Sequence, residues 1–173
     1  MSHLVVPDPS LIVLVGPAGS GKSTFAAHHF AADEILGSDA FRARVGRDEA
    51  DQGATARAFA LLHRELERRL GAARLTVVDA TNVEGRARLA LLRRATTARV
   101  PAVAIVFDLP AGVVLARNAA RATRVVDPAV VHMHLGRLRA AIDEGRIEGE
   151  GFERVYRLRQ PREVDAAVIV RAG

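Results

Sequence analysis

The sequence predicts an α/β protein, a parallel sheet with helices on both faces, and three observations carry that prediction. The β-branched run Leu11-Ile12-Val13-Leu14-Val15 leads directly into a glycine-rich turn, Gly16-Pro17-Ala18-Gly19-Ser20-Gly21-Lys22-Ser23. Strand-like apolar runs then alternate with helical stripes along the rest of the chain, and strands separated by helices are joined by crossovers that make a parallel sheet. The runs are also continuous where a half-exposed strand would alternate, which is the pattern of strands covered on both faces.

The elements follow in order. A first strand occupies Leu11 to Val15, and a helix runs from Lys22 to about Phe30. A short strand at Glu34 to Gly37 ends at Ser38-Asp39, which opens a second helix, and Gly46 to Gly53 breaks it. From about Ala54 to Leu70, the residues Phe59, Leu62, Leu66 and Leu70 recur at helical spacing and form one apolar stripe. Leu75-Thr76-Val77-Val78-Asp79 reads as a buried strand, and Asn82 is placed to cap a helix that runs to about Thr97. Val103 to Asp108 is another apolar strand, and Pro110 suits the first turn of the next helix. Asp127-Pro128 reads as an N-cap followed by proline at the first helical position, and Val131, Leu135, Leu138 and Ile142 share a face of the helix it opens. A strand at Arg154 to Leu158 and an apolar stretch at Ala166 to Val170 close the chain.

At 173 residues the chain is expected to be one domain, 1–173, with 49% apolar residues to fill a core. No apolar run approaches the roughly 18 residues of a membrane span, and Met1 to Ser10 lacks the basic start and long apolar segment of a signal peptide. A soluble, cytoplasmic protein with no membrane partner is the expectation. The absence of cysteine excludes disulfides and thiolate zinc sites. None of the histidines, His3, His28, His29, His63, His132 and His134, forms an i, i+4 ligand pair, and His132 and His134 would diverge on a helix, so surface or packing roles are expected of them. The net charge of +5 fits an anionic substrate, and equally a solvated arginine-rich surface.

The glycine-rich turn is a complete P-loop in the strand–turn–helix context the motif requires. Its glycines let several backbone N–H groups converge on one phosphate, and the following helix adds the positive end of its dipole. Lys22 would reach the β- and γ-phosphates and Ser23 would ligate Mg²⁺. Lys22 is the single lysine beside 24 arginines, so a compact ammonium stands where a forked guanidinium would not serve. Ligands of such sheets lie beyond the carboxyl ends of the strands, where the P-loop, Ser38-Asp39 and Asp79-Ala80-Thr81-Asn82 all fall. Phosphoryl transfer needs charge neutralisation, an in-line acceptor and a group to take the acceptor's proton. Asp39 is the candidate base, with a helix N-cap before Ala40 to Val45 as its alternative. Asp79, ending an apolar strand, suits a metal-holding carboxylate or else a turn with Asn82. Arg42, one turn after Asp39, can hold an anionic group on the acceptor. Arg117, Arg121 and Arg124 recur at spacings of four and three, as the face of a lid helix over the nucleotide or as a solvated face.

These residues together resemble a family. Gly-x-x-Gly-Ser-Gly-Lys-Ser-Thr-Phe at 16–25, Ser38-Asp39-x-x-Arg42, Asp51-Gln52, Leu75 to Asn82 and the Arg117, Arg121, Arg124 series are similar to the 5′-hydroxyl polynucleotide kinase domain of bacterial RNA end-repair enzymes, from about Val5 to the C-terminus. The resemblance implies an adenylate-kinase-like P-loop NTPase fold with an arginine-bearing lid at about 117–135. It implies that Gly16, Gly19, Ser20, Gly21, Lys22, Ser23 and Thr24 bind ATP or another NTP, with Mg²⁺ on Ser23 and Asp79. By the same resemblance Asp39 is the general base toward the 5′-OH of RNA or DNA, Arg42 and Gln52 hold the acceptor strand's phosphate, and Arg117, Arg121 and Arg124 grip the donor phosphates.

That family is usually tripartite, with phosphatase and ligase-like domains after the kinase. With Lys22 as its one lysine, this chain has none left to be nucleotidylated, so end sealing by that chemistry is excluded. A stand-alone kinase or an N-terminal domain of an end-repair system is expected. Two other classes stay open: a P-loop kinase for a sugar or nucleoside hydroxyl, and a nucleotide-dependent switch in which Asp39 only caps a helix. The scarcity of aromatics, one tyrosine and six phenylalanines, points to recognition through phosphates and the terminal nucleotide.

Overall fold

A computed structural model describes residues 2–46 and 52–173, without the side chains of 52–54. Its strands are β1 (Ser2–Pro7), β2 (Leu11–Val15), β3 (Ile35–Gly37), β4 (Thr76–Asp79), β5 (Ala102–Phe107), β6 (Arg154–Leu158) and β7 (Ala167–Ala172). The helices are α1 (Lys22–His29), α2 (Ser38–Val45), α3 (Gln52–Gly71), α4 (Gly85–Ala98), α5 (Ala111–Ala119), α6 (Pro128–Asp143), α7 (Arg146–Gly149) and α8 (Pro161–Asp165). Five strands form a parallel sheet in the order β3-β4-β2-β5-β6, as the alternation predicts.

The strand that leads into the P-loop lies at the centre, and every residue of it is buried. Because successive side chains of a strand point to opposite faces, Leu11, Val13 and Val15 enter one core and Ile12 and Leu14 the other. On the first face Leu62, Leu66 and Leu70 of α3 join them, at 0–1% exposure. Each such leucine contributes about 1.5–3 kcal/mol by leaving water. Phe59, expected in that stripe, is only partly buried, and Ala58 takes the buried position. The second face is covered by Phe25 and Phe30, at the two ends of the helix that follows the P-loop.

Three local expectations are corrected. Asn82 does not cap the helix after β4: it has φ 49°, its amide donates to the Leu14 carbonyl at 2.8 Å, and α4 begins only at Gly85 with Glu84 as N-cap. Pro110 is the N-cap of α5 and not a residue of its first turn. The first strand is not Leu11 to Val15: Ser2–Pro7 precedes it as β1 and pairs in parallel with β7 as a separate two-stranded sheet, from Ser2 opposite Ala167 to Pro7 opposite Ala172. The Tyr156 hydroxyl holds β1 from β6, donating to the Val5 carbonyl and accepting from the Val5 N–H, both at 3.0 Å. The expected Asp127 cap is present, accepting from the Ala129 N–H at 2.8 Å. Among the described residues, no helix is long and apolar enough to cross a membrane.

A buried ion pair braces the rim of the sheet. Arg88 of α4 is 1% exposed and grips Glu150 through two bonds of 2.7 and 2.6 Å, while its third nitrogen donates to the carbonyls of Asn82 and Val83 at 3.0 and 2.9 Å. Breaking such a pair from one side costs about 3–5 kcal/mol, because the remaining charge is stranded without water. The arrangement fixes the loop after β4, whose residues line the cavity described next.

Candidate active site

At the carboxyl ends of β2, β3 and β4 lies a cavity of about 1290 Å³. The loop leaving β2 has Gly19 and Gly21 at φ 86° and 88°, in the left-handed region that favours glycine. A Cβ on Gly19 would stand 2.3 Å from the Val114 carbonyl oxygen, so α5 packs directly on the loop and no larger residue fits. No side chain caps α1, which leaves its first N–H groups and its dipole to an anionic ligand. Gly19, Gly21, Lys22, Ser23 and Thr24 line the cavity. Gly16 and Ser20 stand behind it, with the Gly16 N–H donating to the Thr81 carbonyl at 2.8 Å and the Ser20 hydroxyl to Pro17 at 2.8 Å.

Lys22 is buried, and its ammonium donates to the Pro17 carbonyl at 3.0 Å. Burial pushes it down to about 8; the carboxylates of Asp79 and Asp39 oppose that and Arg121 adds to it. A triphosphate placed beside Lys22 would raise that value, so binding would take up a proton near and above pH 8 and affinity for it should fall as pH rises through about 8. The lone lysine makes this directly measurable. After reductive methylation with ¹³C-formaldehyde, the Lys22 signal should titrate near 8 without nucleotide and well above it with nucleotide. Titration at the ordinary lysine value in the free protein would contradict the buried geometry.

Ser23 donates its hydroxyl to Asp79 Oδ2 at 2.6 Å. A hydroxyl and a carboxylate side by side are the hard oxygen ligands Mg²⁺ takes when phosphate oxygens and water complete its shell. Among the described residues no group of three or more His, Asp or Glu side chains could hold a metal by itself, so a cation here would depend on the nucleotide.

Asp39 sits in the first turn of α2, whose N-cap is Gly37 without a side-chain bond, so the capping alternative does not hold. Its Oδ1 accepts from Arg42 at 2.8 Å and also from Arg124. The Arg42 guanidinium lies 5.7 Å from the centre of the Phe59 ring. Arg117, Arg121 and Arg124 all line the cavity, but not as one helix face. Helix α5 stops at Ala119, leaving Arg117 in its last turn, Arg121 just beyond it and Arg124 in the connecting loop at φ 44°. Asp51 and the side chain of Gln52 lie outside the described residues.

Several cavity residues were not singled out in the sequence. Val130 and His134, four apart on α6, turn toward the cavity beside the core-facing stripe of Val131 and Leu138. The His134 Nδ1 is buried without a hydrogen-bond partner, and burial with the nearby Lys22 charge pushes the imidazole below its ordinary value. Thr55 and Phe59 of α3 and Arg86 of α4 complete the wall beyond Asp39.

A family model described as an AAA domain matches residues 11–144. The chain belongs to this AAA domain family. No curated protein sequence matches it. Among solved structures, this AAA domain is similar to a chain of the Pnkp1/Rnl/Hen1 RNA repair complex, with TM-score 0.70 and 24% identity over 80% of this chain and 47% of that one. The present chain thus spans about half the length of that neighbour. It is also similar to a sugar kinase from a Janibacter species, with TM-score 0.62 and 21% identity over 91% of both chains. A third likeness is to Kti12 from Chaetomium thermophilum in complex with ADP-AlF3, with TM-score 0.63 and 18% identity over 90% of this chain and 93% of that one. The AAA domain therefore has the P-loop α/β fold, a parallel sheet flanked by helices, that the glycine-rich turn and the alternating elements predict, and shares it with these structures.

Proposed function

We propose that the chain is one kinase domain that transfers the γ-phosphoryl group of ATP, or of another nucleoside triphosphate, to the 5′-hydroxyl of RNA or DNA. The observation that carries this reading is the placement of Asp39 and Arg42 on one helix turn, in the same cavity as the P-loop and the three arginines. A volume of about 1290 Å³ exceeds the roughly 300–1,000 Å³ of ordinary small-molecule pockets, which leaves room for a nucleotide and an acceptor together.

In this reading Lys22 and the P-loop amides hold the donor phosphates, and Arg117, Arg121 and Arg124, on a lid of about 117–135, stabilise charge on the phosphoryl group in flight. Mg²⁺, held by Ser23 and Asp79, supplies charge neutralisation between the donor phosphates when bound. Asp39 takes the acceptor's hydroxyl proton as the new P–O bond forms and the bond to the leaving nucleoside diphosphate breaks. Arg42 holds the first internucleotide phosphate of the acceptor strand. Phosphatase and ligase partners, and a cytoplasmic setting, belong to the same proposal, supported by the RNA repair complex among the similar structures.

The sugar kinase, covered over 91% of both chains, is the observation that favours a small hydroxyl acceptor as the second reading. A panel of acceptors separates the two. If Arg42 grips a strand phosphate, a nucleoside carrying a 3′-phosphate should be phosphorylated about ten- to a hundredfold more efficiently than the same nucleoside with a free 3′-OH. That range follows from a charge-assisted contact of about 1.5–3 kcal/mol. Arg42→Ala should erase most of the preference, and salt should weaken it in the wild type. Equal use of sugars or free nucleosides, with Arg42→Ala indifferent, would establish the small-acceptor kinase. Tight nucleotide binding with no transfer to any acceptor would favour a switch.

A further inference from the structure

Asn118 is buried to 1% exposure on α5 and is not among the residues that line the cavity. Its side-chain amide makes two bonds to a single distant peptide unit: Nδ2 donates to the Val126 carbonyl at 2.7 Å, and Oδ1 accepts from the Val126 N–H at 3.1 Å. This is the two-bond exchange of an antiparallel strand pair, made by one side chain. It closes the neck of the loop that carries Arg121 and Arg124. On its other side the same residue abuts the P-loop, because a Cβ on Gly19 would lie 2.8 Å from the Asn118 nitrogen and 3.0 Å from its Cβ. One residue therefore touches the phosphate-binding loop and fixes both ends of the arginine loop.

We infer that Asn118 is a positioning residue that sets Arg121 and Arg124 in register with the P-loop. Only a short amide meets the requirement. An aspartate of the same shape has no donor for the Val126 carbonyl when ionised, glutamine is one methylene too long for a packed position, and alanine leaves the half-buried Val126 N–H and C=O without these partners. The loop between the clamped ends is mostly exposed, so Arg124 can swing between Asp39 and a bound phosphate while its anchor stays put. This role rests on the kinase reading, and the inference that the clamp fixes the loop can be tested without it.

Two measurements decide the matter. In hydrogen exchange, the Val126 amide should be protected in the wild type and lose at least about tenfold in protection in Asn118→Ala, with the strand β2 amides unchanged. In kinetics, using whichever acceptor the wild type phosphorylates, Asn118→Ala should lower turnover by on the order of 10²-fold, since misplacement by about 1 Å carries that cost. In an Arg121→Ala/Arg124→Ala background, the same change should cost no more than about twofold, because its effect passes through those arginines. Should Asn118→Ala fold poorly, Asn118→Asp serves instead: its turnover relative to wild type should rise as pH falls, because the protonated carboxyl regains a donor. Unchanged protection at Val126, or a loss of turnover that persists in full without the two arginines, overturns the inference. An inactive wild type would sink the kinase reading alone, and the exchange measurement would still decide the clamp.

Discussion

Lys22→Ala is expected to lower phosphoryl transfer by on the order of 10³-fold or more while the protein remains folded. The side chain is the chain's one lysine ammonium and the one cation carried by the P-loop itself, so in the proposed mechanism Arg117, Arg121 and Arg124 do not stand in for it at the β- and γ-phosphates. Stability should be unaffected or slightly improved. Burial holds the Lys22 pKa down, which means the fold bears a cost for the charge, and removing the charge relieves it. Lys22→Arg should rescue poorly: the loop encloses the chain at Pro17 and Ser20, and a planar fork does not fit the space of a compact ammonium. Turnover and thermal melting, each with and without nucleotide, check the expectation. Wild-type turnover by Lys22→Ala would remove the P-loop lysine from the chemistry.

The parts of the molecule that were legible in the sequence are those whose causes are local. A strand covered on both faces must be continuously apolar, so β2, β4 and β5 announce themselves, and the P-loop glycines are demanded by backbone angles that other residues rarely adopt. Asp39 and Asp79 stand out because each is a carboxylate at the end of such a strand. The pairing of β1 with β7 was not legible, because the partners lie at opposite ends of the chain and the connection to β6 depends on one tyrosine hydroxyl. Asn82 had the residue type and spacing of a helix cap, yet the buried Leu14 carbonyl near the end of β2 is a competing acceptor that only the folded sheet supplies.

The arginine series reaches one cavity by a geometry other than the helical face its spacing suggests. Spacings of four and three suggest one helical face, but α5 ends at Ala119 and Asn118 folds the following loop back through Val126. The three guanidinium groups still line one cavity, Arg117 from α5 and Arg121 and Arg124 from the loop that the Asn118 amide closes. Asn118, Arg88 and His134 share a reason for having been overlooked. Each is a polar residue whose importance comes from burial, and in a chain this rich in arginine nothing local separates a buried guanidinium from a solvated one.

Asp39→Asn is the substitution that separates chemistry from architecture. The asparagine keeps the shape and one acceptor oxygen but cannot take a proton, so transfer should fall by roughly 10²-fold or more. Nucleotide affinity should persist, since Lys22, Ser23 and the P-loop amides are untouched. Stability should also persist. Asp39 caps no helix, and its pairs with Arg42 and Arg124 are at the surface, with Asp39 58% exposed, where such pairs are worth about 0–1 kcal/mol. The same pairs make the expectation sharper. In the free protein Arg124 pairs with Oδ1 of Asp39, and movement of Arg124 to the donor phosphates would break that pair. Without the carboxylate that departure is easier, and nucleotide should bind the asparagine variant at least as tightly as the wild type. A single-turnover assay beside a nucleotide titration reads both quantities on one preparation. Normal transfer in Asp39→Asn would move the base elsewhere in the cavity, and loss of nucleotide binding together with transfer would reduce Asp39 to a partner of the arginine loop.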